Sequence, residues 1–385
     1  MDPITHFLTG ACIGRAGLNR KTAYATMAAV LAAEAADLDI FWGFAGPVEE
    51  LKHHRGFTHT FIGAPVVAAA VVGAIWLLHR WRSARRDRGG NTLLQKVKVP
   101  PAPPAPAPKP GQPIRWRWLY LTALIAALSH ILLDWTNNYG VRPFSPFNPR
   151  WYAGSFMFIA EPLIWALLLL ALFMPWLLGL ADREIGARGK PFRGRGWAVF
   201  ALAGMAILGC LRWWEHAQAI VLAQNAGVVS APILRTAAEP YPVNPFRWHV
   251  LFETADYYQT AEVNSWTGAV ASDPPRDVLY KPRVTPAVEA AKRTFLGRVY
   301  LDWGKWAVVR DLGQDPVPGM DPPKLPPTRT WTTVEFTDLR FDYGFLAGQS
   351  SSALGDSSRA PLSGWVYIVD GREDAGEAMD GREQH

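Results

Sequence analysis

His53-His54-Arg55-Gly56-Phe57-Thr58-His59-Thr60 runs directly into the apolar stretch 61–78. Imidazoles this dense at the mouth of a long hydrophobic run decide how the rest of the chain is read. Neutral imidazole is the commonest metal ligand among side chains, and two or three of them at a membrane boundary suit a divalent cation. Other polar residues also sit in apolar surroundings: Asp37, Asp39, His130, Asp134 and Glu161, with His6 in the first apolar segment. They are expected to converge on one place.

Outward from that stretch, 57–79, 117–136, 157–181 and 197–222 are each near the ~20 apolar residues that cross a bilayer. An Ala-rich run at 22–42 supplies a fifth helix, since small residues let helices pack closely in lipid. Residues 3–17 are a short N-terminal helix with Thr5 as its expected N-cap. The fold class expected is therefore an α-helical multi-pass membrane domain of about five helices plus that short one, over 1–225. A small α+β domain over 240–370 follows it. Strand-like runs at 247–254, 305–311, 331–343 and 364–369 and a helix at 286–300 support the second domain. Residues 371–385, charged and glycine-containing, read as a disordered tail.

The formal charge of +6 points away from nucleic acid, because the Lys and Arg residues gather at the ends of apolar runs. Arg80, Arg82, Arg85, Arg86 and Arg88 open a loop at 80–116, disordered by its Pro/Ala tract at 99–110. A second basic loop lies at 182–196. By the positive-inside rule these loops and 15–21 are cytoplasmic. That places 37–56, 134–156 and everything after about 222, the C-terminal domain included, on the opposite side of the membrane, which is the periplasmic side if the membrane is a bacterial inner one. The rule uses Lys and Arg alone, yet it gathers the His and carboxylate residues at one face. The two cysteines, Cys12 and Cys210, exclude a disulfide framework or a Cys-based zinc ribbon.

His130 and Asp134 share one helix face at a spacing of four, and an ionisable pair in lipid is costly enough to suggest function. The alternative is a hydrogen bond that staples two helices. Asp37 and Asp39 sit where the helix dipole disfavours carboxylates, which a cation would offset. His6, Asp37, His54, His59, His130 and Asp134 are thus the expected metal ligands; His53 is read as a solvated bystander. Nitrogen and oxygen donors without sulfur suit zinc, with manganese or iron as alternatives, and the number of donors admits one or two ions. Asp39 and Glu161 are the carboxylates expected to serve catalysis, with Glu34 beside them in an outer layer. Arg55 and Arg142 are expected to bind an anionic substrate.

These residues fall into a pattern. Thr5-His6-Phe7-Leu8-Thr9-Gly10, Asp37-Leu38-Asp39, His54 to Thr60, His130-Ile131-Leu132-Leu133-Asp134 and Tyr139 to Phe147 occur in order. Over about 1–180 the chain resembles the membrane-bound, predicted metal-dependent hydrolases of the YdjM-like, LexA-regulated group. Ala36 stands where that group usually has proline before its Asp-x-Asp turn, and Glu161-Pro162 stands for an expected Asp-Pro. The resemblance implies an inner-membrane hydrolase. With its site at headgroup depth, the expected substrate is a membrane-associated ester or phosphoester, attacked by metal-activated water at the periplasmic face. The lipid bilayer and a lipid-linked substrate are the expected partners. An ion- or proton-coupled transporter and a non-catalytic, metal-stabilised scaffold are the alternatives.

Overall fold

The computed structural model describes residues 1–93, 112–184, 194–317, 320–343 and 361–384. The chain opens with α1 (Pro3–Arg15), capped by Asp2, whose Oδ1 accepts from the Thr5 backbone N–H at 3.0 Å. Thr5 was the expected cap. Pro3 displaces it, because proline is favoured in the first helical turn. The Ala-rich run at 22–42 forms α2 (Ala25–Glu34) and then a 3-10 helix at Ala35–Ala45. It is therefore not a fifth membrane-length helix. Among the described residues four helices are long and apolar enough to cross a membrane: α4 (Gly63–Leu93), α5 (Trp116–Thr136), α6 (Pro162–Glu184) and α7 (Arg195–Asn225), preceded by the short α3 (Pro47–His53).

α1 and α2 form a hairpin wedged among these helices. A Cβ on Gly10 would meet the Ala29 carbonyl oxygen at 2.7 Å, and one on Gly14 the Thr26 Cα at 2.5 Å. Glycine is what allows so close an approach. The connecting turn lies by the far ends of α5 and α7: Arg115 N–H donates to Thr22 Oγ1 at 2.8 Å, and Arg195 Nε to the Ala16 carbonyl at 3.1 Å. The hairpin thereby returns its two free ends, Met1 and Asp37, to the level where α4 starts and α5 stops.

The expected loop at 80–116 is corrected in its first part, where α4 continues to Leu93. Arginines on an exposed helix carry no penalty for helicity, and at roughly 46 Å α4 outruns the hydrocarbon core. Residues 94–111, with the Pro/Ala tract, lie outside the described residues, as do 185–193 of the second basic loop.

The C-terminal region is sheet-rich. One antiparallel sheet holds β1 (Arg235–Pro240), β2 (Arg247–Glu253), β3 (Tyr257–Asn264) and β4 (Ala269–Ala271) in that order. After the single turn α8 (Pro274–Asp277), β5 (Val278–Tyr280) pairs with β3. The region begins with β1, before the expected boundary at 240. The helix expected at 286–300 is two, α9 (Pro286–Ala291) and α10 (Phe295–Trp303), the second capped by Thr294. The other sheet contains β6 (Ala307–Asp311), β7 (Trp331–Asp338), β8 (Gly364–Val369), β9 (Glu373–Met379) and β10 (Arg382–Glu383).

β9 and β10 overturn the expected disordered tail. Asp370-Gly371 and Asp380-Gly381 each place both residues at positive φ, 49° and 67°, then 49° and 72°. That is the backbone of a two-residue hairpin turn, for which Asp-Gly is a preferred sequence. The charges between them lie on strand faces, and Glu377 accepts from the Leu296 backbone N–H at 3.0 Å.

The two halves share cores. Trp248, Val250 and Phe252 of β2 cluster with Ala219 and Ala223 of α7, and α9 and α10 pack with Val48 and Leu51 of α3 and with Tyr139 and Trp151. The loop that follows α5 is therefore clamped from outside.

Candidate metal centre

Four side chains from three segments meet beneath this clamp. Asp37 comes from the 3-10 helix after α2, His59 from the turn before α4, and His130 and Asp134 from the last turns of α5. One ligand atom from each lies within 4.8 Å of all the others. His59 Nε2 is 3.4 Å from Asp37 Oδ1 and 3.3 Å from Asp134 Oδ2, and His130 Nε2 is at the same two distances from the same two atoms. The two Nε2 atoms are 2.9 Å apart. Donors around a tetrahedral ion with bonds of ~2.0–2.1 Å stand roughly 3.3 Å apart, so the spacing fits a small divalent metal.

Hydrogen bonding behind the rings shows why a cation belongs there. His130 Nδ1 is 2.6 Å from the Ala33 carbonyl oxygen, which can only accept, so Nδ1 carries the proton. His59 Nδ1 faces Asp39 Oδ2 at 3.3 Å and Thr58 Oγ1 at 3.1 Å. Both rings thus turn Nε2, the atom that would offer its lone pair to a metal, toward each other and toward two carboxylates. Asp37 Oδ2 and Asp134 Oδ2 are buried without a hydrogen-bond partner. Such an assembly repels itself unless a positive charge joins it. Burial disfavours an imidazolium at His59, yet the carboxylates of Asp134, Asp37 and Asp39 raise it to about 10, so without a metal a proton on His59 supplies the positive charge, and a bound cation would displace it. Burial likewise opposes ionisation of Asp37 and Asp39, but the imidazoles hold both well below the usual carboxylate range.

The turn is made by its own residues. Arg55 has φ 54°, an uncommon conformation for a side-chain-bearing residue. Its backbone N–H donates to Asp39 Oδ2 at 2.8 Å, and its buried guanidinium reaches Asn137 Oδ1 at 3.1 Å, the Gly140 carbonyl at 2.8 Å and Asp134 Oδ1 at 3.0 Å. Gly63 lets α4 start directly against the turn, since a Cβ there would lie 1.9 Å from the Phe57 carbonyl oxygen.

The other expected site residues take different places. His6 stacks on His130 at 3.8 Å, with Nε2 3.4 Å from Asp134 Oδ1 and 3.0 Å from the Met1 amine, which also pairs with Asp134. His54 Nδ1 is 3.0 Å from Asp39 Oδ1, so His54 braces Asp39 and stands outside the four-atom group. Asp39 orients His59 and has both oxygens engaged, which leaves it ill-suited to the catalytic role expected of it. Arg55 grips Asp134 rather than an open surface. Arg142 stacks on Trp151 at 4.4 Å and donates to the Lys52 carbonyl at 3.0 Å. His53 stacks on Trp42 at 4.1 Å and pairs with Glu49 at 3.1 Å.

Glu161 is a correction. It pairs with Arg212 at 2.7 Å and accepts from the Val243 backbone N–H at 3.1 Å, tying α6 and α7 to the sheet region. Glu34 gains by contrast. Its Oε1 is buried without a partner, and burial followed by the Asp37 charge pushes its carboxyl up to about 7. Its place one helical turn before Asp37 is the signal that sequence reading assigned only to an outer layer.

A family model described as YdjM inner membrane protein matches residues 1–219. No curated protein and no solved structure matches the chain.

Proposed function

The chain belongs to the YdjM inner membrane protein family, and on that premise we propose that it is a metal-dependent hydrolase of a membrane-associated ester or phosphoester. The observation that carries this reading is the pair of Nε2 atoms facing each other at 2.9 Å between two carboxylates. Asp37, His59, His130 and Asp134 would hold the ion, zinc being the first choice for an N₂O₂ donor set, with manganese or iron as alternatives. A bound divalent metal supplies Lewis acidity and lowers the pKa of water toward neutrality.

The chain's own groups perform the rest. Asp39 holds His59 by Nδ1, Ala33 holds His130 in the same way, and Arg55 fixes Asp134. Supports of this kind set ring orientation and ligand basicity. Glu34, at about 7, is the carboxyl we assign to accept a proton from water and return it to the leaving group. Asp37 is the member of the group that solvent reaches, its side chain 20% exposed. An approach to the ion distinguishes catalytic from closed structural sites.

The substrate class rests on the outer face of the same segment. Asp37 and Asp39 turn inward, while Leu38, Ile40, Phe41 and Phe44 are exposed, Phe44 by 90%. An 11-residue 3-10 helix cannot cross a bilayer, so this apolar face suits the boundary between headgroups and acyl chains. The Lys and Arg distribution favours the periplasmic leaflet.

Metal analysis of purified protein, with hydrolysis of bis(p-nitrophenyl) phosphate, tests the reading. About one transition-metal ion per chain is expected, with turnover lost in His59→Ala, His130→Ala and Glu34→Gln. Of these, Glu34→Gln alone should retain the metal. Stoichiometric metal that survives the His59→Ala/His130→Ala double change overturns the proposal.

A further inference from the structure

A groove runs along the seam between the loop after α5 and the sheet region. One part, a cleft of about 780 Å³, is lined by Arg150, Arg235, Lys305, Trp151, Trp306 and Asp302 among others. The adjoining part, about 360 Å³, adds Lys52, Arg142 and Arg298 and shares Trp151 and Asp302 with the first. The lining thus holds six cationic side chains against the one carboxylate of Asp302.

That carboxylate is already engaged, accepting from Trp151 Nε1 at 3.1 Å with Arg142 Nη1 at 3.6 Å. Lys52 pairs with Glu49 at 3.2 Å and Arg235 with Glu253 at 2.5 Å. Among the described residues no carboxylate pairs with Arg150, Arg298 or Lys305. Burial lowers the Lys305 amine below its ordinary value, with Arg340 and Arg150 adding to it and Glu239 and Asp338 opposing it. Arg142 lies over Trp151 at 4.4 Å and Arg235 over Trp306 at 4.5 Å, so both guanidiniums have restricted planes. Guanidiniums held in this way recognise phosphate oxygens through paired N–H donors.

We propose that this groove binds a phosphate-bearing polyanion through Arg150, Lys305 and Arg298, with Trp151 and Trp306 as its walls. The assignment is independent of the metal chemistry, since none of these residues belongs to the four-ligand group. The phosphates come from a lipid headgroup or from a soluble molecule, and one experiment separates the two.

Full-length protein with its metal content unaltered, in phosphatidylcholine nanodiscs, is titrated with inorganic pyrophosphate by calorimetry. Separately, native mass spectrometry counts lipids retained from discs containing phosphatidylglycerol. Each measurement is repeated on Arg150→Glu/Lys305→Glu and on the milder Arg150→Gln/Lys305→Gln, with melting temperature as the folding control. Pyrophosphate binding weakened at least tenfold in both variants supports the groove with a soluble ligand. Selective retention of phosphatidylglycerol, lost in both variants, supports it with a lipid. Absence of both signals in the wild type, or signals that either folded variant leaves unchanged, overturns it.

Discussion

Two clusters of buried charge, one in each half of the molecule, answer the same physical problem differently. In the sheet region Arg340 meets Asp338 in a fork, Nε to Oδ1 at 2.9 Å and Nη2 to Oδ2 at 2.8 Å. Its remaining donors go to the carbonyls of Asn138 at 2.6 Å and Trp303 at 3.4 Å. Every strong group there has a partner, and the cluster is complete as it stands. Among the membrane helices, His59, His130 and Asp134 are as deeply placed, with Asp37 at their edge, yet two carboxylate oxygens of the group have no hydrogen bond. The contrast separates buried charge that holds a fold together from buried charge arranged around something else. Burial was not the discriminating quantity; satisfaction was.

The sharpest way to break the comparison is to remove both imidazoles. His59→Ala/His130→Ala removes half of the donor set and should release the metal, together with the stability that its binding supplies. Elemental analysis after dialysis checks the outcome, and an unchanged metal content would place the centre with Arg340 as a self-sufficient cluster. Arg340→Ala should do the opposite, costing about 3–5 kcal/mol of stability while the folded fraction keeps its metal. Denaturation with parallel metal analysis reads both quantities. Glu161→Gln belongs with Arg340→Ala, because its partner Arg212 is a fixed charge in a buried pair. Asp39→Asn lies between the classes. It should weaken metal affinity ~10–100-fold with little change in melting temperature, as expected of a group that orients a ligand.

The effect that depends on pH alone concerns Glu239, in β1. Burial raises its carboxyl to about 8, with the nearby Arg340 charge and hydrogen bonds to Ser155 and Asn138 pulling the other way, and its Oε2 has no partner. A carboxyl raised in the folded state binds a proton that the unfolded chain has released, so stability should fall as pH rises from about 4.5 toward 8. Glu239→Gln should remove that slope, with a gain that grows toward the upper end of the range and none at the lower. Thermal melts across that range check the sign. An orphan that keeps its own proton is thus a third solution, open to a lone carboxyl. It does not serve four ligand atoms at once.

The site was legible in part because its residues are chemically out of place. His130 and Asp134 are costly in an apolar helix, and the loop charges oriented the chain without reference to them. What misled the reading was one-dimensional distance. Glu161 and Asp39 look alike as carboxylates near apolar runs, yet Arg212, fifty-one positions away, claims Glu161, while His59 and His54 share Asp39. At 371–384 the charge predicts disorder, while the Asp-Gly pairs at 370–371 and 380–381 turn the segment into strands.

By itself the sequence determined the four long apolar helices, the change to a strand-rich C-terminal region and the short list of His and Asp residues. Hydropathy, side-chain period and residue type are local properties, and a chain carries them in order. Which nitrogen faces inward, which carboxylate ligates and which one steadies a ring were decided only in three dimensions. Those roles depend on atoms brought within about 3 Å from segments up to 97 residues apart, and only packing sets such distances.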